Sequence, residues 1–155
     1  MRDLLNHIVG GAMMFADAFG GSPVLDISGR LPDVVGDDPN AAFGAAAARF
    51  GEALGQPGAT ERVLDLPFGA MTVGTFLRFV AFDLTMHAWD VASVTGATVE
   101  LPDDLLAEID EFAHLVLESV PRNELLCGPP VVAPAGASAL QRLVAYSGRD
   151  LAPVG

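Results

Sequence analysis

The sequence predicts a mainly helical protein of one domain, with a short extended segment and a C-terminal tail. Three observations lead there. Apolar residues recur every three or four positions through several long segments. Asp, Thr and Pro stand where those segments begin, and Gly stands where they end. At 155 residues, with 51% apolar and 18% charged residues, the chain holds material for one sizeable core and shows no compositional sign of disorder.

Taken in order, the first helix should run from Asp3 to Phe19 and stop at Gly20-Gly21-Ser22-Pro23. Leu4, Ile8, Gly11, Ala12, Phe15 and Phe19 share its apolar side. Residues 23–39 are rich in Pro, Gly and Asp and read as a loop. A second helix, Asn40 to Leu54, begins with Asp38 as N-cap and Pro39 at the first position. Its alanines, Ala45 to Ala48, permit close packing against a neighbour, with Phe43, Phe50 and Leu54 as apolar anchors. Val63-Leu64-Asp65-Leu66 followed by Pro67-Phe68-Gly69 suggests an extended piece turning at Gly69. The longest helix follows, from Thr72 as N-cap to Thr95, and ends at Gly96.

Another helix starts at Pro102-Asp103-Asp104 and ends near Pro121. It carries Leu105, Leu106, Ile109, Phe112, Ala113, Val116 and Leu117 at helical spacing. Gly128 to Gly136 is Pro-rich and extended, and Ser138 to Tyr146 forms a last short helix closed by Gly148.

Composition excludes several classes of function. The net charge is −12 and the eight basic residues are scattered, a field that repels a phosphate backbone and argues against nucleic acid. One cysteine, Cys127, rules out an internal disulfide framework and fits the reducing cytoplasm. Its apolar setting and lack of a basic neighbour in sequence mark a buried, idle thiol. No apolar stretch reaches the roughly 18 residues that a membrane span needs. Ile8 to Ala16 behind Arg2 imitates a signal peptide, with Ala16-Asp17-Ala18 as a mock cleavage site. Asp3, His7, the acid within that site and the helical periodicity favour a folded helix instead.

The residues that carry chemistry lie in the long helix. Phe76, Val80, Asp83, His87, Asp90, Val91 and Val94 step by three or four, so Asp83 and His87 are expected inside a core-facing stripe. A buried carboxylate needs compensation. Asp83 could pair with His87, the two could serve a nucleophile, or both could ligate a metal. No nucleophile signature such as G-x-S-x-G is present. His7 borders the apolar side of the first helix, one turn from Leu4 and from Gly11, and would complete a two-histidine, one-carboxylate set with open positions for water and substrate. Asp90 reads either as an acceptor for the second ring nitrogen of His87 or as a nearby cap or salt bridge. His114, one position off its helix's apolar stripe, reads as a surface residue rather than a ligand.

Asp3-Leu4-Leu5-Asn6-His7-Ile8-Val9-Gly10-Gly11, then Leu84-Thr85-Met86-His87-Ala88-Trp89-Asp90-Val91-Ala92 and Thr95-Gly96, resemble the DinB-like superfamily. The similarity is to the branch of mycothiol-dependent maleylpyruvate isomerase. Asp37-Asp38-Pro39, Leu66-Pro67-Phe68-Gly69 and Gly148-Arg149-Asp150 extend it over nearly the whole chain. The resemblance implies a four-helix bundle, often dimeric, that holds a divalent ion through His7, Asp83 and His87. Zinc is the expected ion, with nickel or iron as alternatives.

It further implies a metal-dependent enzyme that uses a low-molecular-weight thiol such as mycothiol, with an electrophilic substrate, for transfer or isomerisation. The rival is a non-catalytic metal-binding or ligand-sensing bundle whose ion is structural. Two departures stand out: relatives carry a further helix before the Leu-Asn-His segment, and the isomerase carries a separate C-terminal domain. Without the preceding helix, Leu4, Ile8, Met14 and Phe15 should be partly exposed, and a symmetric homodimer through the first helix is expected.

Overall fold

The computed structural model describes residues 1–22, 33–66, 69–119, 122 and 127–151. The loop reading of residues 23–32, the turn at Pro67-Phe68, the helix end at Pro121 and the tail beyond Leu151 lie outside the described residues. The described residues are mostly helical, with five helices and one two-stranded sheet: α1 Arg2–Phe19, α2 Pro39–Leu54, β1 Val63–Leu66, β2 Gly69–Thr72, α3 Val73–Thr95, α4 Asp103–Ser119 and α5 Ala139–Tyr146. Among them no helix is long and apolar enough to cross a membrane. The chain divides into two compact units, Met1–Leu77 and Arg78–Gly155, with the boundary inside α3.

In the first unit α1 and α2 pack together. Buried Val9, Val35 and Ala46 form the centre of that contact, with Leu5, Ala12, Met13, Val34 and Ala42 against them. Ala42, Ala46 and Phe50 step by four, so one side of α2 faces α1 with small residues near its start. Phe43 lies a further 100° round the helix and is 53% exposed, so it is not the anchor that the sequence suggests. Phe19 meets Phe50 edge-on at 5.2 Å, and Phe15 meets Phe76 at 4.8 Å.

Asn6 does most to fix the start of α1. It is buried, and its Oδ1 accepts from the backbone N–H of Val34 (3.0 Å) and of Val35 (3.1 Å). Arg2 adds an ion pair to Asp33 and a hydrogen bond to the Gly36 carbonyl. Asp38 caps α2 as its sequence predicts, accepting from Ala41 N–H with Pro39 behind it. β1 and β2 pair antiparallel with Leu66 opposite Gly69, which places Leu64 and Leu66 inward and Val63 and Asp65 outward. The first N–H groups of α3 are satisfied from outside the helix. Val73 donates to the Arg62 carbonyl, Gly74 to that of Thr60, and the Thr72 hydroxyl accepts from Thr75 N–H.

In the second unit the core consists of Met86 from α3, Leu106, Ile109 and Ala113 from α4, and Leu143 and Val144 from α5. Phe82, Trp89 and Leu140 pack against it. Leu105, grouped by its spacing with the core face of α4, is exposed, because Leu106, Ile109 and Ala113 already fill that side. α5 opens with a reciprocal capping box between Ser138 and Gln141.

The chain leaves α5 through Gly148 at φ +90, and a Cβ there would stand 2.7 Å from Gly128 Cα. Only glycine meets both demands. Gly148→Ala should therefore destabilise the protein by at least about 2 kcal/mol, from left-handed strain plus overpacking. Gly136→Ala, at φ +84 but with open space around it, should cost only the strain, about 1 kcal/mol. Urea midpoints of the two variants measure the difference; equal losses would contradict the close approach.

Candidate functional site

α3 presents Phe82, Thr85, Met86, Trp89 and Ala92 inward. Asp83 and His87 each follow an inward residue by one position, 100° round the helix, and so lie at the margin of that face. His87 is 13% exposed through its side chain, whereas Asp83 is 54% exposed. The expectation that both sit inside the core-facing stripe is thus corrected for Asp83. Apolar residues occur on nearly every side of α3, including the exposed Leu84 and Val94, so periodicity alone picks a stripe one position off the buried one.

The i, i+4 spacing nevertheless brings the two side chains together, with His87 Nε2 3.3 Å from Asp83 Oδ1. The other ring nitrogen, Nδ1, is 3.4 Å from Asp90 Oδ2. Asp90 in turn accepts two hydrogen bonds from Arg149, Nε to Oδ1 at 2.8 Å and Nη2 to Oδ2 at 3.0 Å. Both readings of Asp90 therefore hold at once: it is an acceptor beside His87 and the partner of a salt bridge.

These contacts set the charges. Burial disfavours the charged His87 ring, but the hydrogen bonds and negative charges of Asp83 and Asp90 outweigh it and raise the ring to about 9. Burial likewise opposes the Asp90 carboxylate, yet His87 and Arg149 hold it down at about 2. The Arg149 guanidinium stays charged, its pKa raised against burial by Asp90.

Arg149 is the residue that sequence reasoning passed over as a functional one. Its only signal was its place in the Gly148-Arg149-Asp150 closing motif, since a partner 59 positions away leaves no trace in local spacing. Cys127 is buried, as its surroundings suggest, and burial pushes its thiol up, away from the reactive thiolate. His114 is half exposed and stacks on Tyr146 at 3.8 Å between ring centroids. His7 is partly buried on α1 in the first unit, directly after the Asn6 anchor. Asp83 and His87 belong to the second unit.

Over 108 residues the chain is 32% identical to an uncharacterized protein of Mycobacterium tuberculosis, found in strains CDC 1551 / Oshkosh and ATCC 25618 / H37Rv. The match takes in 70% of this chain and 56% of that protein, so the chain spans about half the length of the curated relatives it matches. No family model matches the chain. No solved structure matches it either.

The charge pattern around His87 makes a definite statement about stability. The ring's folded value of about 9 exceeds the 6.5 of an unperturbed histidine, so the folded state holds an extra proton between those limits. The stabilisation is complete below about pH 6.5 and is lost as pH rises through about 9. Screening at the exposed Asp83 limits it to about 1–2 kcal/mol. In chelator-treated protein, denaturant unfolding from pH 6 to 10 should show this fall for the wild type and a clearly smaller one for His87→Gln. Parallel profiles would show that His87 does not gain its charge from these carboxylates.

Proposed function

We propose that the chain is a divalent-metal-binding helical domain of the DinB-like kind, in which His7, Asp83 and His87 hold the ion, with zinc as the first choice. The observation that carries the reading is the arrangement on α3. A carboxylate and an imidazole nitrogen stand 3.3 Å apart while the second ring nitrogen faces Asp90, itself gripped by Arg149. A plain i, i+4 surface pair contributes about 0.3–0.5 kcal/mol and requires no such backing. An imidazole whose far nitrogen meets an anchored carboxylate is what metal-ligating histidines commonly have.

The donor set fits the group. His7 and His87 each offer one imidazole nitrogen and Asp83 one carboxylate oxygen, a mixture that suits zinc, nickel and ferrous iron and leaves coordination positions open. The exposure of Asp83 gives small molecules a route to its carboxylate. The resemblance in the His7 and His87 segments and the four long helices, of 18, 16, 23 and 17 residues, support a bundle of this kind.

A metal there supplies Lewis acidity that lowers the pKa of a coordinated thiol. The chain's own residues orient that chemistry, since Asp90 and Arg149 fix the His87 ring, and the net charge of −12 disfavours anionic polymers. The substrates on this reading are a low-molecular-weight thiol such as mycothiol and an electrophile, and the reaction is transfer or isomerisation in the cytoplasm. A bundle with a purely structural ion is the rival.

Purified protein should bind one equivalent of zinc or cobalt(II), and His87→Ala should weaken binding by at least about tenfold. In the cobalt form, added thiol should produce a sulfur-to-metal charge-transfer band. Metal-free wild type after reconstitution would end the proposal. Tight cobalt without a thiol band would select the structural-ion rival.

We extend the proposal to a symmetric homodimer through α1, supported by the partial exposure of Leu4, Ile8, Met14 and Phe15. Sedimentation over a range of concentrations should give a dimer that Leu4→Asp and Ile8→Asp dissociate. A monomer at all concentrations would refute the dimer alone.

A further inference from the structure

Arg149 lies outside the proposed ligand set, yet it is held at both ends of its guanidinium. Nε and Nη2 donate to the two oxygens of Asp90, and Nη1 donates to the Ser147 hydroxyl at 3.2 Å. Ser147 is itself buried, and its hydroxyl donates to the Val144 carbonyl at 2.7 Å. A forked pair of hydrogen bonds fixes the plane of a carboxylate, which a single bond cannot do. The oxygen shared with Nη2 is Oδ2, the one that faces His87 Nδ1. The turn at Gly148 against Gly128 delivers Arg149 to this place straight after α5.

We infer that Arg149 is a positioning residue for the metal-binding reading above, on which this inference rests. By fixing the Asp90 carboxylate it holds the Nδ1 side of the His87 ring against Asp90 and keeps Nε2 on the side of α3 where Asp83 presents its oxygen. The two donor atoms thereby share one direction before any ion arrives. Lysine at this position keeps the charge but supplies a point rather than a fork, so it restores only part of the effect.

The role separates from plain structural support through a second arginine in the same unit. Arg122 also holds the C-terminal part of the chain. It donates to the carbonyls of Gly128 and Tyr146 and lies 4.5 Å over the Tyr146 ring. Its loss should loosen that segment without touching Asp90.

Cobalt(II) titrations of the full chain, followed by absorption, compare wild type with Arg149→Met, Arg149→Lys and Arg122→Met. Loss of such a partner group commonly costs 10- to 100-fold in metal affinity, and about that loss is expected for Arg149→Met. A smaller loss is expected for Arg149→Lys, and unchanged affinity with a lower Tm for Arg122→Met. The second readout is the exchangeable imidazole N–H of His87 in the proton NMR spectrum of the cobalt form. It should be protected in wild type and exchange-broadened in Arg149→Met.

Equal cobalt affinity in wild type and Arg149→Met would overturn the inference and leave the metal reading standing. An affinity loss in Arg122→Met as large as that in Arg149→Met would overturn it too, as would a wild-type cobalt form lacking the protected N–H. Wild type that binds no cobalt removes the metal reading and this inference together. If Arg149→Met does not fold, Arg149→Lys and the wild-type N–H signal decide the matter.

Discussion

The forked contact between Arg149 and Asp90 is the constraint on which the second unit's organisation turns. It joins the later part of α3 to the stretch just beyond α5 by two hydrogen bonds across 59 positions. Both partners are largely withdrawn from solvent, Arg149 at 23% and Asp90 at 30% exposure. At that depth a lone charge is costly, and removing either partner strands the other. Such a pair does not have to add much net stability to matter. Its fork accepts one geometry, so it selects one register of the C-terminal segment against α3.

Other features of the same segment agree with that selection. The capping box at Ser138 starts α5 at a defined residue, and Leu143 and Val144 pin it into the core with Met86 and Ile109. Gly148 then reverses the chain where no side chain could fit beside Gly128. Arg122 holds the carbonyls of Gly128 and Tyr146 from the other side. Arg149 therefore reaches Asp90 from a short stretch fixed at several points. His87 gains its raised basicity from Asp83, one helical turn away, and from Asp90, whose carboxylate is held by a residue far away in sequence.

The first unit uses a neutral group for a comparable task. Asn6 gives one buried carbonyl oxygen to two successive backbone N–H groups, those of Val34 and Val35. The buried one, Val35 N–H, would otherwise be unsatisfied, at about 1–3 kcal/mol. The bond fixes the stretch before α2 against α1, and the next residue along α1 is His7. The Leu-Asn-His segment thus joins an anchoring residue to a ligand-type residue in adjacent positions, which gives a physical reason for the pair to occur together.

The sequence by itself determined the helices and most of their ends among the described residues. Asp38-Pro39, Thr72, Gly96 and Pro102-Asp103 act through bonds and dihedral preferences local to a few residues, so they are legible without any knowledge of the rest of the chain. The extended piece at Val63–Leu66 was legible for the same reason, whereas its partner strand Gly69–Thr72 was not. The nearness of Asp83 to His87 followed from helical spacing alone.

Tertiary structure decided which side of each helix is covered. α3 is apolar on nearly all sides, so its buried stripe was fixed by α4 and α5 rather than by its own periodicity, and Asp83 came out half exposed. Phe43 and Leu105 are exposed for the same reason: burial depends on what a neighbour offers, and side-chain apolarity only permits it. The grip of Arg149 on Asp90 was decided there too, because a contact spanning 59 positions has no local period to announce it.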